Sequence, residues 1–163
     1  MSLGVTQNKT YLNIREGKIV HKSPAGQEAL YDFIEGYLVD ITTKERDFKG
    51  ELLKYWYIDI TDRSGVAYSL ALPYSSGVAK GIFNSLASAT DLTKEIKIQP
   101  YQSGDFTKVV VTQGGDRLSW KYPELPPVEE VKVGDKLVKD DSKRMELFTR
   151  IVEEIVTKVN TII

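Results

Sequence analysis

Between residues 36 and 122 apolar side chains recur at every second position in a series of short runs, and a single helical interval interrupts them. Period two belongs to a strand with one face in a core and the other toward water, so this region is expected to be mainly antiparallel sheet. The runs are 36–43 (GYLVDITT), 51–61 (ELLKYWYIDIT), 66–72 (VAYSLAL), 95–101 (EIKIQPY) and 108–113 (KVVVTQ). A polar connection, KERDFKG, separates the first two, and Asp62-Arg63-Ser64-Gly65 reads as the turn into the third. After Pro73, Val78, Ile82, Phe83, Leu86 and Ala87 fall at helical spacing, which predicts one helix ending by Thr90. Residues 117–122 extend the last strand past a Gly114-Gly115 bend.

The resulting order, β-β-β-α-β-β, is that of the five-stranded Greek-key barrel that binds oligonucleotides and oligosaccharides, the OB fold. The expected fold class is therefore mainly β, an OB barrel with two additions. Residues 11–14 and 18–21 alternate around Arg15-Glu16-Gly17 and predict an extra N-terminal hairpin, followed at 27–33 by a mixed stretch read as a helical turn. At the other end Pro123, Pro126 and Pro127 stop the ladder. Ser142 is placed to cap an amphipathic α-helix running to about Asn160. Its stripe of Leu147, Phe148, Ile151, Val152, Ile155, Val156 and Val159 needs a partner surface. That surface is either the barrel or the same helix of another copy, and the second option gives a homo-oligomer through residues 142–163. The expected organisation is a barrel with its hairpin over 1–123, a proline-rich charged linker over 124–141, and the helix over 142–163.

Composition narrows the chemistry. The chain has 163 residues, no cysteine and one histidine, so a disulfide framework, a thiolate metal site and a Cys/His dyad are all excluded. A Ser-His-Asp triad would have to recruit His21 from the opening hairpin, where nothing else points to hydrolysis. Gly77-Val78-Ala79-Lys80-Gly81 lacks the order of a phosphate loop, and the carboxylates fall on different faces and turns. The expectation is a non-enzyme without cofactor or metal. No run is long and apolar enough for a signal-peptide core or a membrane span, which predicts a cytoplasmic address and no membrane partner. With a net charge of −1, the chain is not a purely electrostatic nucleic-acid binder.

Aromatic rings interleaved with cations are the remaining signal. Alternation sends Trp56, Ile58 and Ile60 to the core and Tyr55, Tyr57 and Asp59 to the outer face, where flat rings can stack on bases. Tyr101, Trp120 and Tyr122 lie on the last strands, and Phe106 in a loop. Lys49, Lys54, Lys97 and Arg46 lie among them, in a wider basic set that includes Lys44, Lys108, Arg117 and Lys121. These ten aromatic and basic residues are the candidate site: Tyr55, Tyr57, Tyr101, Trp120, Tyr122, Phe106, Lys54, Lys97, Lys49 and Arg46. The plainer reading is that Tyr55 and Tyr57 only stabilise cross-strand pairs, at about 0.2–1 kcal/mol each.

The stretch from Gly36 to Tyr122 resembles the OB-fold single-stranded DNA-binding proteins of bacteria and their phages. The likeness rests on the strand order, the Tyr55-Trp56-Tyr57 cluster ahead of an ITDRSG turn, and the helix between the third and fourth strands. It implies non-enzymatic binding of single-stranded DNA, with RNA as the other candidate, by stacking on the tyrosines and phosphate contacts from the lysines. Bacterial members end in a flexible acidic tail that recruits partners, whereas residues 142–163 read as an ordered helix. The competing expectation is a structural or protein-interaction module, such as a phage or mobile-element component, working through that helix. An oligosaccharide-binding barrel is a third.

Overall fold

The computed structural model describes residues 9–160. Strands β1 (Thr10–Arg15) and β2 (Lys18–Lys22) form the opening hairpin. Glu16 and Gly17 join them with φ of 50° and 77°, the paired left-handed turn whose twist suits adjoining strands. The stretch after the hairpin is not a helical turn: β3 (Glu28–Tyr31) pairs antiparallel with β2 and prolongs the sheet. The polar connection expected at 44–50 is also mostly strand. β4 (Ile34–Phe48) and β5 (Glu51–Thr61) pair almost throughout and need only Lys49 and Gly50 to reverse the chain. That arm is polar because solvent reaches it on both sides, which hides a strand from a test based on one apolar face.

β6 (Ala67–Pro73) pairs with β5, and α1 (Gly77–Leu86) follows, capped by the Ser76 side chain, which accepts from the Ala79 N–H. β7 (Ile96–Ser103) and β8 (Phe106–Gln113) form the next hairpin. The expected extension of β8 through 117–122 is reduced to β9 (Asp116–Arg117), which doubles back on β8 because Gly114 and Gly115, both left-handed, reverse the chain.

Nine strands make one sheet in the order β3-β2-β1-β6-β5-β4-β7-β8-β9. The sheet does not close into a barrel, and it is β1, not β8, that lies parallel to β6, with Leu12 opposite Leu70. β4 is the shared strand: its first residues pair with β7 and the rest with β5. The sheet curls far enough for the β1–β2 tip to reach β7. A Cβ on Gly17 would stand 2.6 Å from the Gln102 nitrogen, so only glycine fits that contact.

The concave face, α1 and the C-terminal helix share one core. Ile58, Ile60, Leu70, Leu72 and Ile98 come from the sheet and Ile82, Phe83 and Leu86 from α1, all with almost no exposure. Trp56 closes one end, stacked on Tyr74 at 4.9 Å and edge-on to Phe83, while its indole N–H donates to the Tyr74 carbonyl.

Residues 124–141 are more than a linker, because β10 (Glu129–Val133) and β11 (Lys136–Asp140) make a separate two-stranded hairpin. α2 (Ser142–Asn160) then puts Phe148, Ile151 and Ile155 into the same core, against α1 and β4. Of the two placements open to its stripe, the structure shows packing on its own sheet, with Leu147, Val156 and Val159 left half-buried. At the start of α2 the Ser142 N–H donates to the Asp140 carboxylate at 2.9 Å. Residues 161–163 of the expected helix lie outside the described residues.

Candidate nucleic-acid interface

The ten candidate residues separate into distinct places. Tyr101, Phe106 and Trp120 come together and line a groove of about 420 Å³ with Lys108, Arg117 and Gly81. Tyr101 stands near the end of β7, directly across the ladder from Lys108 of β8, and Phe106 begins β8. Arg117 is brought in by the reversal of β9. Phe106 is 71% exposed and Trp120 48%, unusual for rings of this size without a partner. Among the described residues neither Lys108 nor Arg117 makes an ion pair, so both cations face the groove unneutralised.

Trp120 sits on no strand, and its place depends on α1. Asn84, wholly buried, donates from Nδ2 to the Tyr122 carbonyl at 2.7 Å and accepts the Tyr122 N–H at Oδ1 at 2.8 Å. Its own carbonyl takes the Lys121 N–H at 3.2 Å. Segment 118–122 is thereby strapped across the helix. Gly81 eases the packing of α1 on β8, since an added Cβ would stand 3.0 Å from a Val109 methyl, while the Trp120 ring at 3.9 Å would be in ordinary contact. Sequence reading passed over both residues: Gly81 counted only toward a rejected phosphate loop, and Asn84 gave its signal as a polar residue inside an apolar helix face.

The tyrosines of β5 do not join this groove. Tyr57 is on the outer face, as alternation requires, but it is 3% exposed and cannot stack on a base. Lys44 and Arg46 of β4 lie over its ring at 5.5 and 5.4 Å, because register puts Thr42 beside it and these longer side chains next along the strand. Its hydroxyl has no hydrogen-bond partner among the described residues. Tyr55 is half-buried, with Arg46 at 5.9 Å. Lys54 stacks over Tyr74 at 4.3 Å and Lys97 over Phe33 at 4.2 Å, which fixes both away from Tyr101. Tyr122 packs half-buried against the core, and Lys49 occupies the β4–β5 turn.

A second cavity, about 360 Å³, opens where β1, β2 and β3 meet the start of β4, and His21, Tyr31, Phe33, Glu35, Asp62 and Tyr68 line it. Asp62 is committed to the turn after β5, accepting from the Ser64 and Val66 N–H groups at 2.9 Å and from the Tyr68 hydroxyl at 3.3 Å. Burial, then the Asp62 charge, raises the Tyr68 pKa. This cavity has two carboxylates and no lysine or arginine in its wall, whereas Lys108 and Arg117 line the Trp120 groove.

No helix among the described residues is long and apolar enough to cross a membrane. No family model, curated protein or solved structure matches the chain.

Proposed function

We propose that the protein is a non-enzymatic binder of single-stranded DNA, holding the strand in the groove between β7, β8, β9 and α1. The observation that carries the reading is the convergence of three exposed rings, Tyr101, Phe106 and Trp120, with the unpaired cations Lys108 and Arg117. Bases stack on such rings whatever their sequence, at about 1–3 kcal/mol each, while the cations track the phosphates. Tyr55, Tyr57 and Arg46 have no part in this contact. The finer architecture is read as OB-like. Supporting this are the double pairing of β4 with β5 and β7 and the position of α1 between β6 and β7. In this reading β1 takes the place beside β6 that a fifth barrel strand would occupy.

The test is titration with an oligothymidine while following tryptophan emission. Trp56 is buried and Trp120 half in solvent, so quenching reports on the groove. Saturable quenching that weakens with salt supports the reading. The absence of binding at low salt overturns it.

A further inference from the structure

Among the described residues β10 and β11 belong to no larger sheet. Nearly every side chain on them is exposed, including Val131, Val133, Leu137 and Val138. A lone two-stranded hairpin is at best marginally stable in water, and a further strand is the usual remedy.

The ladder says which edge is ready for one. Gly134 and Asp135 form a two-residue turn, so Val133 and Lys136 beside it exchange backbone hydrogen bonds, as do Val131 and Val138 two residues on. The N–H and C=O groups of Glu130 and Lys132 therefore point away from β11, and no backbone bond within the described chain takes them up. We propose that β10 pairs antiparallel with β10 of a second copy, Val131 facing its own mate across the two-fold axis. Glu130 of each copy then lies opposite Lys132 of the other, at the positions whose backbone groups face outward. Two cross-strand ion pairs and the ladder bonds form together. Val131, Val133 and Val138 of both copies line one face of the resulting four-stranded sheet.

The other edge fits less well. On β11 the outward positions are Leu137 and Lys139, which offer each other no charge match, and Asp140 is already engaged by the Ser142 N–H. Glu130 and Lys132 make no ion pair among the described residues. A contact of this size lies at the weak end of specific interfaces, so the dimer should grow with concentration.

Sedimentation velocity of the full chain over a concentration series tests this. The expected result is a reversible dimer, with the association constant falling about tenfold or more in Glu130→Lys and in Lys132→Glu, where like charges meet twice. Mixing the two variants should restore dimers, since each lysine then faces a glutamate, and Lys139→Glu should leave the wild-type behaviour unchanged. A wild type that stays monomeric throughout, a dimer that survives either reversal, or a mixture that fails to associate each overturns the proposal.

Discussion

Asn84 grips Tyr122 with both ends of its side-chain amide, donating to the carbonyl at 2.7 Å and accepting the N–H at 2.8 Å. A buried amide matched on both sides to the backbone groups of one residue fixes that residue's position and leaves neither end of the amide orphaned. Replacing it with alanine strands a buried donor and acceptor, so Asn84→Ala should lose about 2–4 kcal/mol in urea unfolding. Because the strap carries Trp120, the variant should also bind oligothymidine more weakly under conditions where it remains folded. A stable variant with unchanged affinity would show that the strap does not set the groove.

The rings of the groove should matter individually. Tyr101→Ala, Phe106→Ala and Trp120→Ala are each expected to weaken oligothymidine binding by about 1–3 kcal/mol with little effect on stability, since the side chains are exposed. Trp120→Phe keeps a ring to stack on but removes the reporter. Fluorescence quenching should vanish while affinity by anisotropy is largely retained. Quenching that persists would place the strand near Trp56 instead.

Lys108→Ala and Arg117→Ala test the phosphate contacts. Each should reduce the dependence of log affinity on log salt by about 0.7, the value for one contact on a single strand. Lys54→Ala and Lys97→Ala, whose ammonium groups lie over Tyr74 and Phe33, should leave the slope alone. If all four variants change it equally, binding is spread over the surface.

Much of the fold was legible because period two is a local property. Trp56, Ile58 and Ile60 reach the core where alternation sends them, and the apolar stripe of α2 is where helical spacing puts it. What occupies the opposite face is not local. Tyr57 was assigned to the right side of its strand, but Lys44 and Arg46 cover it only because β4 runs far beyond the apolar pattern that marks it. The groove was legible as a set of residue types and not as a place. Its assembly needs the β8–β9 reversal, the packing of α1 on β8 at Gly81 and the Asn84 strap, and the last two join residues far apart in the sequence. Tyr57 provides its own check: Tyr57→Phe removes an unpartnered buried hydroxyl and should raise stability by about 1 kcal/mol, without altering DNA affinity.

Stability should fall in acid through a defined set of carboxylates. Glu28 and Asp32 are held below their ordinary pKa by hydrogen bonds from Arg15 and Lys18, Asp91 by Thr93, and Asp140 by Ser142. A folded-state pKa below the unfolded one means that the unfolded chain binds protons first. The stabilisation is complete above the usual carboxylate range and is lost as pH falls through the depressed folded values. Thermal midpoints should therefore decline below about pH 4. Asp140→Asn keeps an acceptor for the Ser142 N–H but cannot titrate, so its difference from wild type should shrink as the pH falls.

The tip of the first hairpin gives the sharpest steric test. Gly17 has φ of 77°, which costs a residue with a Cβ about 1–2 kcal/mol, and that Cβ would stand 2.6 Å from backbone rather than from a yielding side chain. Gly17→Ala must therefore lift the tip off β7 as well as strain the turn. The expected loss exceeds the backbone term alone, and hydrogen exchange should quicken through β1 and β2 before the rest of the sheet opens. Since the tip rests on the backbone of Tyr101 and Gln102, oligothymidine affinity should fall too, though less than in Tyr101→Ala. Glu16→Gly, which relieves the neighbouring left-handed residue without touching β7, should preserve or improve stability, separating turn strain from lost contact. Equal losses in Gly17→Ala and Glu16→Gly would mean that the turn, and not its seat on β7, holds the hairpin.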